Sequence, residues 1–167
     1  MIILLMGVSG SGKTTIGEML AGEVSFDFLD ADDLHPDANV RKMEHGIPLT
    51  DEDRKPWLES IRSRISESLA NNTNLIIACS ALKAEYRRFL LREGVRLVYL
   101  KGEYSVIRER MERRGNHFMG ADMLQSQFDA LEEPADALVI DVILSPERIV
   151  KTIVQKLGLS GEPKDPT

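Results

Sequence analysis

Short apolar runs and longer amphipathic stretches alternate along the chain. Residues 1–6, 26–30, 75–79, 95–100 and 137–141 are brief, rich in Ile, Val and Leu, and carry few internal charges. Runs of that length, apolar at successive positions, predict strands buried on both faces. Between them, residues 13–24, 51–70, 83–92, 104–114, 122–131 and 146–157 follow a helical pattern. Asn71, Asn72, Thr73 and Asn74 form a turn cluster before the third strand. Thr50, followed by Asp51 and Asp53, predicts a helix N-cap with acids in the first turn. Alternating strands and helices predict an α/β fold, a parallel sheet with helices on both faces in a three-layer sandwich. There is no internal repeat. Residues 160–167 hold two prolines, a glycine and charges and predict a frayed tail, so residues 1–159 are expected to form a single domain.

Composition narrows the class. A chain of 167 residues fits one domain, and at that length roughly 70% of the unfolded surface is buried on folding. Hydrophobic residues make up 43% and charged residues 29%, as in soluble globular proteins. A net charge of -6 argues against general binding to nucleic acid or an anionic membrane, whose phosphates favour basic surfaces. No stretch approaches the ~20 apolar residues of a membrane span. The apolar run from Ile2 to Met6 is too short for a signal peptide and lacks a basic flank. Cys79 is the single cysteine, so no internal disulfide forms, which suits a reducing compartment and a cytoplasmic location.

The strongest motif follows the first strand. Gly7-Val8-Ser9-Gly10-Ser11-Gly12-Lys13-Thr14 matches G-x-x-x-x-G-K-[ST] in full, with a strand before it and a helical pattern after it. Glycines permit the backbone angles that turn N–H groups inward around phosphate oxygens. The helix N-terminus adds partial positive charge. Lys13 is placed to reach the β and γ phosphates, and Thr14 to offer its hydroxyl to Mg²⁺. These features predict nucleotide binding with ATP and Mg²⁺ as cofactors.

The acceptor side must decide the reaction. Asp30-Ala31-Asp32-Asp33-Leu34-His35 follows the second strand, where strand ends face the ligand crevice. If the strand continues, Asp30 and Asp32 share a side. Asp32 is then the group that orients an acceptor hydroxyl and takes its proton, and Asp30 serves the metal. Asp33 reads as a cap of the next helix. Arg54, early in a long helix, is either a bidentate clamp for a substrate carboxylate or a surface arginine paired with Asp51 or Glu52. Trp57 reads as a packing residue. Small residues at Cys79-Ser80-Ala81 leave room for substrate, and Cys79 reads as a buried small hydrophobe. Arg87 is a further candidate for the pocket, with Arg88 on the surface. The basic stretch from Arg108 to Arg114 places Arg110 and Arg114 on one helix face before Gly115. These two are candidate lid arginines over the phosphates, whereas Arg108 and Arg113 read as partners of Glu109 and Glu112. His117 is a substrate contact, a cap, or neither. The three histidines lack metal-ligand spacing.

Together these stretches resemble the gluconate kinase (gluconokinase) family, related to shikimate and adenylate kinases. The carrying segments are the phosphate loop, Asp32-Asp33-Leu34-His35-Pro36, Asn39 to Met43, Gly46 to Leu58, Cys79-Ser80-Ala81-Leu82-Lys83 with Tyr86-Arg87, Tyr99 to Gly102, His117-Phe118, and Gln127-Phe128 with Leu131-Glu132 and Pro134. The phosphate loop is generic, while the Leu-His-Pro, Leu-Thr-Asp-Glu-Asp-Arg and Cys-Ser-Ala-Leu-Lys segments are more specific. The resemblance implies phosphorylation of D-gluconate to 6-phospho-D-gluconate. It implies a five-stranded parallel sheet in order 2-3-1-4-5, a mobile lid around residues 110–125, and a family whose members are often homodimers. It assigns nucleotide to Gly7, Val8, Ser9, Gly10, Ser11, Gly12, Lys13, Thr14, Thr15, Arg110 and Pro146, and metal to Thr14 and Asp30. Asp32, His35, Arg54, Arg87, His117 and Gln127 face the sugar acid, and Lys13, Asp32, Arg110 and Arg114 serve catalysis. Ala31 stands where glycine is common. The alternatives are a P-loop kinase for shikimate, a nucleoside monophosphate or another sugar acid, and a nucleotide-binding regulatory module.

Overall fold

The computed structural model describes residues 1–115 and 121–160. Five parallel strands, β1 (Ile2–Met6), β2 (Asp27–Asp30), β3 (Leu75–Ala78), β4 (Val95–Lys101) and β5 (Leu138–Asp141), form one sheet. Their order is β2-β3-β1-β4-β5, as the resemblance implies. Ile2 lies opposite Leu75 on one side and Val95 on the other, so β1 is central and paired along both edges.

The apolar runs are explained by burial on two faces. Ile3 and Leu5 of β1 point into one core with Val98 and Leu100. Helices α1 (Lys13–Val24) and α7 (Pro146–Leu157) cover that core through Ile16, Leu20, Ile149 and Ile153. Ile2, Leu4 and Met6 point the other way, against Trp57, Ile61 and Ile65 of α3 (Asp51–Ala70) and Tyr86 and Leu90 of α4 (Ala84–Leu90). Each side chain of β1 is fully buried. A single buried Leu or Ile contributes ~1.5–3 kcal/mol, so the central strand anchors the sheet by itself. Helices α5 (Tyr104–Arg113) and α6 (Ala121–Ala130) follow β4 and join the first core through Ile107 and Leu124.

Two elements depart from the sequence expectation. The second strand stops at Asp30 and becomes a 3₁₀ turn, Ala31–Leu34. Asp30, not Asp33, caps that turn: its carboxylate accepts the Asp32 N–H at 3.0 Å. The period-two pairing of Asp30 with Asp32 therefore does not apply. The second departure is α2 (Asp37–Glu44), an eight-residue helix unmarked by any apolar stripe, with Asn39 its one buried residue. The Thr50 cap is present as a capping box: Thr50 Oγ1 accepts the Asp53 N–H, and Asp53 accepts the Thr50 N–H. The 116–120 part of the expected lid, with His117, and the tail from 161 onward lie outside the described residues.

Candidate active site

Every strand ends at the same edge of a parallel sheet, so the loops after β1, β2 and β3 converge there. The loop after β1 is tight. Gly10 and Gly12 have φ of 80° and 94°, a region that L side chains rarely adopt. A Cβ on Gly10 would also lie 2.9 Å from Met111 of α5. Ser11 is buried, and its Oγ has no hydrogen-bond partner among the described residues. An orphaned hydroxyl inside a glycine-built cradle fits a ligand rich in oxygen acceptors. Lys13 Nζ folds over the loop and donates to the carbonyls of Gly7 (2.9 Å) and Val8 (3.1 Å). Burial pulls the Lys13 ammonium below its ordinary value, and the charge of Asp32 opposes the shift. Thr15 is exposed on the first turn of α1.

Thr14 and Asp30 meet directly, with Thr14 Oγ1 donating to Asp30 Oδ2 at 2.7 Å. Both are hard oxygen donors. Beyond Asp30, the 3₁₀ turn carries Asp32 to the crevice floor. Trp57 Nε1–H, fully buried, donates to the Ala31 carbonyl at 2.7 Å and pins that turn from below. Burial pushes the Asp32 carboxyl above the usual carboxylate range; Asp30 and Asp33 add to the shift and Lys13 opposes it. The residue as a whole keeps solvent contact, so this desolvation is partial.

A cavity of about 170 Å³ runs from the phosphate loop outward. Ser9, Lys13 and Asp32 line one end and Arg54 lies in the wall, together with His35, Trp57 and Gln127. His35 stacks flat on Trp57, ring centroids 4.5 Å apart. Burial, then Arg54, lowers the His35 pKa to about 4, so the ring is neutral at physiological pH. Arg54 donates to the Leu49 carbonyl at 2.8 Å and approaches the Tyr86 hydroxyl at 3.5 Å. It pairs with neither Asp51 nor Glu52: Asp51 takes Lys83 and Tyr86, and Glu52 takes Lys55. Of the two readings of Arg54, the pocket position is the one observed. Gln127 grips the phosphate loop twice, accepting the Ser9 N–H at 2.7 Å and donating to Ser9 Oγ at 3.0 Å.

Arg87 is elsewhere. Its guanidinium is buried and donates to the carbonyls of Ala81 (2.9 Å), Leu82 (2.8 Å) and Glu132 (2.7 Å). It braces Ala81, which holds a left-handed φ of 42°, beside the pocket residue Ser80. The expected direct contact of Arg87 with the pocket is not observed: Arg87 does not line the cavity, and three of its five N–H groups go to carbonyls. Arg110 donates to the Val142 carbonyl, tying α5 to the loop that leads to Pro146 at the start of α7. Arg114 is exposed at the end of α5. Arg108 and Arg113 pair with Glu112 and Glu109 as expected. Burial pushes the Cys79 thiol up to about 12, which leaves it inert as a nucleophile.

Sequence reasoning missed the outer wall: Met43, Ile47, Pro48 and Leu49 on one side, Met123 and Ser126 on the other. Met43 and Ile47 are apolar yet exposed at 37% and 49%, a feature that only the fold reveals.

The shikimate kinase family model matches residues 9–158. The chain is 43% identical to the gluconokinase of Arabidopsis thaliana, over 97% of this chain and 95% of that protein. It is 50% identical to the thermosensitive gluconokinase of Escherichia coli (strain K12), over 78% of this chain and 71% of that one. The chain belongs to the gluconokinase family. The fold is similar to the crystal structure of a sugar kinase from Janibacter sp. HTCC2649, with a TM-score of 0.87 at 42% identity, covering 96% of this chain and 95% of that one.

Proposed function

We propose that the chain transfers the γ-phosphoryl group of ATP to the terminal hydroxyl of D-gluconate, giving 6-phospho-D-gluconate and ADP. One observation carries the reading: Lys13, Asp32 and Arg54 line a single cavity. That arrangement suits a chain-like acid whose hydroxyl end meets the phosphate loop and whose carboxylate meets a guanidinium.

The transfer is in line. The acceptor oxygen forms a bond to the γ phosphorus as the bond to the β–γ bridging oxygen breaks, and ADP departs. Asp32 orients the hydroxyl and takes its proton. Lys13 swings from the Gly7 and Val8 carbonyls to the β and γ phosphates, with the N–H groups of residues 9–14 around them. Thr14 and Asp30 would hold Mg²⁺, which when bound would neutralise phosphate charge. Arg54 binds the carboxylate, and His35 and Gln127 bind hydroxyls. Arg110 and Arg114 stabilise charge on the transferring group, and Arg110 with Pro146 bounds the adenine side. The lid role of residues 110–125, contact by His117, a homodimer and a cytoplasmic location belong to this proposal through the resemblance.

The test is ADP release from Mg-ATP with D-gluconate, other sugar acids, shikimate and nucleoside monophosphates in parallel. Stimulation by gluconate alone is expected. Stimulation by another compound would replace the acceptor, and ATP binding without any stimulation would favour a regulatory module.

A further inference from the structure

Asn39 is a buried polar side chain, 4% exposed, on the inner face of α2, and it touches no part of the cavity surface. Its amide nitrogen lies 2.8 Å from the Asp53 carbonyl oxygen and 3.3 Å from His35 Nδ1. The backbone carbonyl settles which end of the amide is which. A carbonyl only accepts, so the atom facing it must be the NH₂, and a flipped Asn39 would set its oxygen against the Asp53 carbonyl. The same NH₂ then presents its second hydrogen to His35 Nδ1, which must be the bare nitrogen. The ring proton is therefore on Nε2, and among the described residues Nε2 makes no hydrogen bond. Trp57, stacked at an interplanar angle of 9°, stops the ring from turning over freely.

Protonating His35 would set an Nδ1–H against the Asn39 N–H, two donors in a partly buried contact. The surrounding charges act alongside this. Arg54 of α3 faces the ring and disfavours its charge. Lys42 of α2 and Asp53 of α3 neutralise one another at 2.8 Å. Asp32 and Lys13 share the cavity, and Asp33 lies in the turn just before His35.

We propose that Asn39 is a positioning residue that locks His35 as a neutral Nε2–H donor, so that the acceptor pocket reads an oxygen lone pair on the polyol acid at this point. The lock rests on the proposed acceptor only for the identity of that oxygen. The chain thereby discriminates against an analogue lacking an oxygen there, because a fixed, half-buried donor would be left unpaired.

The test is ring ¹⁵N NMR of the three histidines, with the His35 signals assigned by their loss in His35→Gln. The wild-type protein is expected to show a bare Nδ1 and a protonated Nε2 at pH 7, without substrate. Asn39→Asp, which supplies an acceptor, should move the proton to Nδ1 or raise the titration midpoint of the ring. It should also raise the KM for gluconate about tenfold with the KM for ATP unchanged, the loss of one hydrogen bond. Asn39→Ser, a smaller donor, should restore part of the tautomer preference. A wild-type ring carrying its proton on Nδ1 overturns the lock even if no variant folds. So does an Asn39→Asp ring with unchanged nitrogen shifts and midpoint. A protein that ignores gluconate yet shows the Nε2–H ring would overturn the proposed substrate and still support the lock.

Discussion

Asp32 sits where desolvation and the carboxylate of Asp30 both resist its ionisation, while Lys13 favours it. A base in that balance is a better proton acceptor than a free carboxylate. Asp32→Asn is therefore expected to lower kcat about 10²-fold or more, with nucleotide binding retained. Its acid limb in a rate–pH profile should lie above the ordinary carboxylate range, since protonation removes the base as pH falls. Unchanged turnover in single-turnover kinetics would remove the role. Arg54→Ala should raise the KM for gluconate on the order of 10- to 100-fold, the loss of a charge-assisted contact, with the KM for ATP unaffected. An equal loss for both substrates would assign Arg54 to the nucleotide. At this scale the phosphate loop was legible because its residues stand at fixed offsets between a strand and a helix, whereas the local sequence left Arg54 open between a pocket and a surface position, and the offset argued for Asp32 rested on a strand that stops at Asp30. Arg87 misled for a physical reason. Its guanidinium matches a carboxylate and a set of backbone carbonyls equally well, and only the fold shows that Ala81, Leu82 and Glu132 already accept its hydrogens.

Among the elements, α3 begins with reciprocal bonds between Thr50 and Asp53, and Asp53 also receives Lys42 from α2. Four bonds thus fix the start of the helix that delivers Arg54 and Trp57. Thr50→Ala should destabilise the fold by ~1 kcal/mol. For a chain of this size the melting temperature should fall by ~2–4 °C, with Thr50→Ser close to wild type. A calorimetric scan in which Ala and Ser behave alike would show that the hydroxyl contributes nothing. The Thr50 signal was readable because capping is local chemistry. Helix α2 was not readable, since an eight-residue helix whose Val40 and Met43 face outward has no periodic core stripe to announce it. The turn at Ala31 was hidden for another reason: the Asp30 cap is local, but the Trp57 bond that pins the turn comes from 26 residues away, which local pattern does not reveal.

For the whole molecule, the doubly buried strands made the class of fold evident from apolar runs alone, whereas the strand order came only with the family resemblance, because pattern says nothing about which strand lies beside which. That order sets β1 between β3 and β4, which brings the phosphate loop next to the loops that follow those two strands. The grip of Gln127 on Ser9 then has a thermodynamic consequence. One side chain is shared between the nucleotide cradle and the acceptor wall. A ligand that draws Gln127 toward either side alters the affinity of the other, and linkage requires the two alterations to be equal. Titration calorimetry of gluconate with and without a nonhydrolysable ATP analogue, and of the analogue with and without gluconate, should return the same factor. In Gln127→Ala that factor should move toward one, while a factor unchanged by the substitution would place the coupling elsewhere. The two substrates would then meet the enzyme as correspondents rather than strangers, each arriving at a site the other has already tuned.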